Sequence, residues 1–216
     1  MIHTTSCRLV WPDSFIISMN SQKAAQIDGF DPNGPGIPGS LFGLPFTPET
    51  SELIIIPVPW ETTVTYRAGT AHGPSAILEA SRQIDFYMRE IPDAWKMGVS
   101  LLPVSSDILA ENNRLRTLVD NIRQLHDVMG QPEATRVLQD KVNEGHENLH
   151  VFTQKTAEHW LQQGKRVAIL GGDHSSPLGL LRALAGKFDR FGVLQIDAHA
   201  DLRRSYEGFT YSHGSI

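Results

Sequence analysis

The chain is poor in cysteine, in positive charge and in long apolar runs, and each shortage removes a class of protein. One cysteine, Cys7, in 216 residues leaves no internal disulfide and no cysteine metal cluster. That usage fits a reducing compartment, so a cytoplasmic setting is expected. Lys and Arg number 19 against 24 Asp and Glu, a formal net charge of -5, and no dense basic cluster occurs. Nucleic acid and anionic membranes are therefore not expected partners. The longest apolar run, "LIIIPVPW" (53–60), is far short of the ~20 residues that span a bilayer and holds two prolines. The start, "MIHTTSCRLVWPDS", lacks the basic segment and apolar run of a secretory signal. No internal repeat, Walker loop or G-x-S-x-G is present, which sets aside phosphate cradling and serine hydrolysis.

What is present reads as a globular chain. Hydrophobic residues make up 40% and charged residues 20%, enough for one domain, or a domain with an extension. Residues 1–52, with the Gly/Pro-rich "FDPNGPGIPGSLFGLPFTPETS" (30–51), show no periodicity and are expected to be an extension along the domain or a neighbouring subunit. Residues 53–216 are expected to form the α/β domain. It opens with a strand at 53–58, then a turn-rich loop, then a helix entered at Pro74 and carrying Ile77, Leu78 and Ile84. A short strand is expected within 97–103. Leu115, Leu118, Val119, Ile122, Leu125 and Val128 recur at helical intervals and predict a helix over 113–129. A second long helix is expected over 132–163, with Gly145 as a candidate break and Gly164 as its end. The segment 165–201 then predicts a strand at 167–170, a helix at 177–185 capped by Ser175 or Ser176 and stopped at Gly186, and a strand at 192–196. A helical crossover makes the two strands parallel, so both end on one sheet edge, where open α/β sheets bind ligands.

At that edge the first strand delivers Asp173 and His174, and the second delivers Asp197, His199 and Asp201. Extended backbone turns every second residue to one side, so the last three, spaced by Ala198 and Ala200, are expected to converge. Carboxylates and imidazoles without thiolate suit Mn²⁺ and its neighbours better than a structural zinc site. Other residues carry plainer readings. Asp173 is expected to cap a turn, and His72 to be a loop histidine. "HENLH" (146–150) matches H-E-x-x-H with Glu147 in the general-base position, but Thr153 and Thr156 stand where the metzincin extension needs Gly and His. Its residues are expected on a solvated helix face, as are His126 and His159. Arg203 and Arg204 either meet an anionic group or lie on the surface.

"GGDHS" (171–175) and "DAHAD" (197–201) resemble the first two signature motifs of the arginase/agmatinase ureohydrolase family. "YSHGS" (211–215) is similar to the segment that follows them in agmatinases, and "RAGTAHGPSAIL" (67–78) to a family glycine loop. The resemblance runs over about 53–216. It implies a doubly wound α/β fold, a mainly parallel sheet with helices on both faces, incomplete at the C-terminus. It implies that His174 and Asp201 bind one metal, His199 the other, and that Asp197 touches both. It assigns His213 the mobile acid/base role. The implied cofactor is a pair of divalent ions, Mn²⁺ first, with Ni²⁺, Co²⁺ or Zn²⁺ as alternatives. Such ions lower the pKa of a bridging water to give hydroxide that attacks a guanidinium carbon, releasing urea and an amine. Agmatine leads as substrate, with guanidinobutyrate, guanidine and formiminoglutamate behind it. A homo-oligomer, trimer or hexamer, is implied as well.

The family's third motif supplies two further aspartates, whereas after Asp201 the only acidic residue here is Glu207. The expectation is an N-terminal portion of a longer enzyme or a shortened relative. Two alternatives stand beside the hydrolase: an inactive truncated homologue serving as a metal- or partner-binding module, and a single-zinc deacetylase of the related fold. Asp201 argues against the deacetylase.

Overall fold

The computed structural model describes residues 21–129 and 135–216, so Cys7 and the first part of the extension lie outside the described residues. The elements in chain order are α1 (Ser21–Asp28), β1 (Leu53–Val58), α2 (Gly73–Ala80), β2 (Val99–Leu101), α3 (Ser106–Met129), α4 (Arg136–Gln162), β3 (Arg166–Gly171) and α5 (Leu178–Lys187). The three strands form a parallel sheet in the order β2-β1-β3, with Leu53 opposite Val99 on one side and Arg166 on the other.

β1 is central yet contains Pro57, which has no N–H to give. Val58 accepts from Gly172 N, so the even residues of β1 face β3; Ile55 accepts from Leu102 N, so the odd ones face β2. Pro57 therefore points its missing donor past the last bond to β2, where nothing is lost. The same alternation turns Ile54, Ile56 and Val58 into the core, all at most 1% exposed. Ile56 and Val58 pack with Leu115, Val119 and Ile122 of α3 and with Val142, Leu149, Ala157 and Leu161 of α4.

The strand order reverses at β1. Right-handed crossovers then put the β1–β2 and β2–β3 connections on opposite faces, which is double winding, and open a crevice between the carboxyl ends of β1 and β3.

Several expected boundaries move. Gly145 does not break α4. A β-carbon there would stand 2.2 Å from Leu115 Cδ1, so glycine allows α3 and α4 to approach closely. α5 continues through Gly186 to Lys187, and no side chain caps its start at Pro177; Ser175 and Ser176 bond to Asp173 instead. Residues 21–52 pack against the rest of the described chain: Lys23 reaches Glu52 at 3.0 Å and the Met97 carbonyl at 2.8 Å, and Leu41, Leu44 and Phe46 are buried.

The largest correction is at 192–196, where no strand forms and Leu194 and Ile196 are 86% and 91% exposed. A parallel strand needs a ladder partner and cover on both faces. Among the described residues nothing covers this segment, so its apolar residues stay in solvent.

Candidate metal centre

The ladder between β1 and β3 runs on into the loops that follow them. Gly172 N donates to Val58 O at 3.0 Å and Asp173 N to Trp60 O at 2.8 Å. A β-carbon on Gly172 would fall 1.7 Å from the Trp60 carbonyl oxygen, so only glycine fits this crossing. Asp173 then folds the chain back. Its Oδ1 accepts from the Ser175 amide at 3.0 Å and the Ser175 hydroxyl at 2.6 Å. Burial pushes its carboxyl up to about 6, against the lowering effect of those bonds. The turn that Asp173 builds carries His174 toward the carboxylates beyond β3.

His174 Nδ1 lies 2.7 Å from Asp201 Oδ2 and 3.6 Å from Asp197 Oδ2. One ligand atom from each of the three lies within 4.8 Å of the others, and among the described residues this is the group that could hold a cation. The donor set, two carboxylates and an imidazole, suits a hard to borderline divalent ion. The His199 amide donates to Asp197 Oδ1 at 2.9 Å, and that bond is the chief reason the carboxyl sits below its ordinary range.

His199 does not join the group. Its ring is 81% exposed and its Nδ1 is 3.9 Å from Asp197 Oδ1. The expected period-two convergence required a strand, whereas the Gln195 side chain bonds the His199 carbonyl and Asp201 takes a left-handed φ of 50°. A turn has replaced the alternation, and it aligns the two aspartates without the histidine between them.

Of the three grouped residues, Asp201 also lines a cavity of about 540 Å³ that it shares with His199, Arg203, Tyr206 and His213. The His213 backbone N–H donates to Thr63 Oγ1 at 3.1 Å, and its Nδ1 lies 3.4 Å from the same hydroxyl. The Tyr206 ring meets it edge-on, centroids 5.2 Å apart. Partial burial lowers its pKa, with Glu207 pulling the other way. The loop is tied down by reciprocal bonds between Ser212 and Ser215 and by Ile216 N to Asp201 O. Arg203 lies over the Tyr206 ring at 4.8 Å, at the cavity wall.

The expected solvated face at 146–150 holds for Asn148 and fails for the two histidines. His146 and His150 are both fully buried, because they share a stripe of α4 with Val142, Leu149 and Thr153. His146 Nδ1 is 2.9 Å from Val142 O and its Nε2 is 3.0 Å from Thr62 Oγ1; His150 Nε2 is 3.1 Å from Ser175 O. Burial pushes both imidazoles down to about 4. Glu147 meets Arg182 through two bonds, 2.6 and 3.0 Å. Helical phase relative to Val142 and Leu149 was the signal that placed these histidines inside. Thr63 and Glu61 also had no motif to mark them. Glu61 Oε2 accepts from the Gly69 and Ala71 amides and so shapes the glycine loop. His159 is exposed as expected, while His126 is half-buried and pairs with Thr135.

Comparison with known proteins covers most of this region. A model of the arginase family matches residues 51–216. An N(1)-aminopropylagmatine ureohydrolase of Synechocystis sp. is 30% identical over 165 residues, 76% of this chain and 45% of that protein. An agmatinase of Photorhabdus laumondii is 30% identical over 177 residues, 81% of this chain and 47% of that one. The chain thus spans about half the length of the curated relatives it matches. Among solved structures, an agmatine ureohydrolase of Thermoplasma volcanium superposes with a TM-score of 0.50 at 19% identity, over 88% of this chain and 50% of that one. This last likeness concerns the fold.

Proposed function

The chain belongs to the arginase family, and from that membership we propose that it forms the metal-holding half of a hydrolase that cleaves a small guanidino compound to urea and an amine. The observation that carries this reading is the meeting of His174, Asp197 and Asp201 within 4.8 Å, beside a cavity that Asp201 shares with His213.

A divalent cation fits the three donor atoms, which lie close enough to meet on one ion. His174, Asp197 and Asp201 would hold one ion, Mn²⁺ by preference, and a second ion would need His199 to turn in from its exposed position beside Asp197. Such ions supply Lewis-acid activation of water. The chain's own residues do the rest. Asp173 builds the turn that presents His174, and the left-handed Asp201 brings its carboxylate back toward that imidazole. Thr63 occupies the Nδ1 side of His213, which leaves Nε2 to hold or move a proton for the leaving amine. Tyr206 fixes the ring plane, and burial keeps the imidazole neutral near pH 7, ready to accept or return that proton.

Agmatine and N(1)-aminopropylagmatine are the first substrates to test, since two relatives carry those names. A cytoplasmic, homo-oligomeric enzyme completes the reading; no described helix is long and apolar enough to cross a membrane. The exposure of His199 favours one second reading, a module that binds a single cation without catalysis. Urea release separates the two. The full natural polypeptide, loaded with Mn²⁺, should release urea from a guanidino compound at a rate that Asp201→Asn abolishes. Metal binding without urea from agmatine, aminopropylagmatine or guanidinobutyrate would leave the module reading standing.

A further inference from the structure

The H-E-x-x-H face of α4 touches both loops that carry the proposed site, and its polar atoms are held by protein partners, with His150 Nδ1 alone buried without one. His146 donates from Nδ1 to the Val142 carbonyl and accepts the Thr62 hydroxyl at Nε2, so both nitrogens are used. Glu147 is held by Arg182 through both oxygens. His150 donates from Nε2 to the Ser175 carbonyl, next to His174. Its ring also meets the Tyr211 ring edge-on, centroids 4.8 Å apart at 89°. The same Arg182 that grips Glu147 reaches Tyr211 Oη at 3.1 Å and lies 5.8 Å from its ring centroid. Tyr211 precedes His213 by two residues.

We infer that this face of α4 is a positioning device: His150, wedged between Ser175 and Tyr211 and backed by the Glu147–Arg182 pair, fixes the His174 loop relative to the His213 loop. The inference rests on the reading of those two loops given above. A buried histidine between two loops is better suited to this than an aliphatic residue. Its single donor selects one carbonyl, and its flat ring sets the approach of the tyrosine.

Amide hydrogen exchange at 172–176 and 211–213, together with Mn²⁺ affinity by calorimetry, tests it in the full polypeptide. His150→Leu keeps the bulk and removes the donor. Exchange in both loops should rise about tenfold or more while β1 amides stay protected, and Mn²⁺ affinity should fall by roughly 10–100-fold, as when a partner of a metal ligand is lost. His150→Gln, whose amide can donate near the place of Nε2, should restore both. Wild-type exchange in His150→Leu overturns the proposal. So does a loss of protection spread evenly into β1, or a failure of Gln to restore, since either marks a plain packing defect. If His150→Leu does not fold, Arg182→Met decides: raised exchange confined to 211–213 supports the device, and unchanged exchange overturns it. Absence of urea release by the wild type would sink the hydrolase reading while leaving these exchange measurements to decide this one.

Discussion

Asp201 Oδ2 stands 2.7 Å from His174 Nδ1 although 27 residues of chain separate them, and Asp201 reaches it from a left-handed backbone with φ 50°. Charge and conformation can be separated at this position. Asn tolerates that backbone nearly as well as Asp, whereas Ala is strained there by about 1–2 kcal/mol. Asp201→Asn should therefore unfold at the wild-type urea midpoint, and Asp201→Ala at a lower one. Both should bind Mn²⁺ at least about tenfold more weakly, because each loses an anionic ligand. Wild-type Mn²⁺ affinity in Asp201→Asn, read by calorimetry, would remove Asp201 from the site.

His213 touches Thr63 and Tyr206 and none of the three grouped residues among its hydrogen bonds. Its replacement should thus separate chemistry from metal content. His213→Ala is expected to lower turnover by roughly 10²–10⁴ with bound metal unchanged, the size of a lost general acid/base. Metal loss in that variant, measured by elemental analysis, would make His213 a ligand.

Much of this was legible in residue order, and the failures share a cause. β1, α3 and α4 announced themselves because their apolar periods report burial against a core that the described chain itself provides, whereas α1 (Ser21–Asp28), in a stretch read as having no periodicity, did not. The "GGDHS" turn was legible because Asp173 acts locally, bonding Ser175 two residues on, although the need for glycine at 172 comes from Trp60 on the neighbouring strand's loop. The strand expected at 192–196 failed because its apolar residues needed neighbours that the described residues do not offer, and His199 moved out of the group with it. His146 and His150 were expected on a solvated face because imidazoles are polar, and they are buried. Their phase against Val142 and Leu149 already put them inside. Thr63 and Glu61 act through contacts eight to 150 residues away, which no local pattern encodes.

The contact of Gly145 with Leu115 sets the spacing of α3 and α4. Gly145→Ala gains about 1 kcal/mol of helix propensity but drives a methyl into a fully buried leucine, where overpacking costs about 1–3 kcal/mol. A net loss of stability is expected from urea unfolding. Leu115→Ala alone should leave a cavity and also destabilise. Combined, the two should cost less than the sum of the singles, since the new methyl enters the space the leucine left. Strict additivity would mean that the helices do not meet at this pair.

The buried histidines give the fold a pH dependence of defined sign. His146 and His150 hold folded pKa values of about 4 against an ordinary 6.5, so between those limits the unfolded chain binds the extra protons and stability falls as pH drops. It is fully present above 6.5 and lost toward 4. Asp173 works the other way: burial raises it from 3.8 to about 6, so the folded state binds its proton first and gains as pH drops through that window. Of these three groups, the two imidazoles outnumber the one carboxyl near pH 5, so together they add about one proton, or ~1.4 kcal/mol per pH unit, to the slope. Asp173→Asn removes the counterweight and should steepen the slope by about one proton relative to wild type, while His150→Gln should flatten it by about as much. Urea unfolding with chelator at several pH values between about 4.5 and 6 reads the slopes, and differences from wild type cancel the carboxylates common to all three proteins. If His150→Gln steepens the slope instead, His150 is protonated in the folded state and cannot be the neutral donor that holds Ser175.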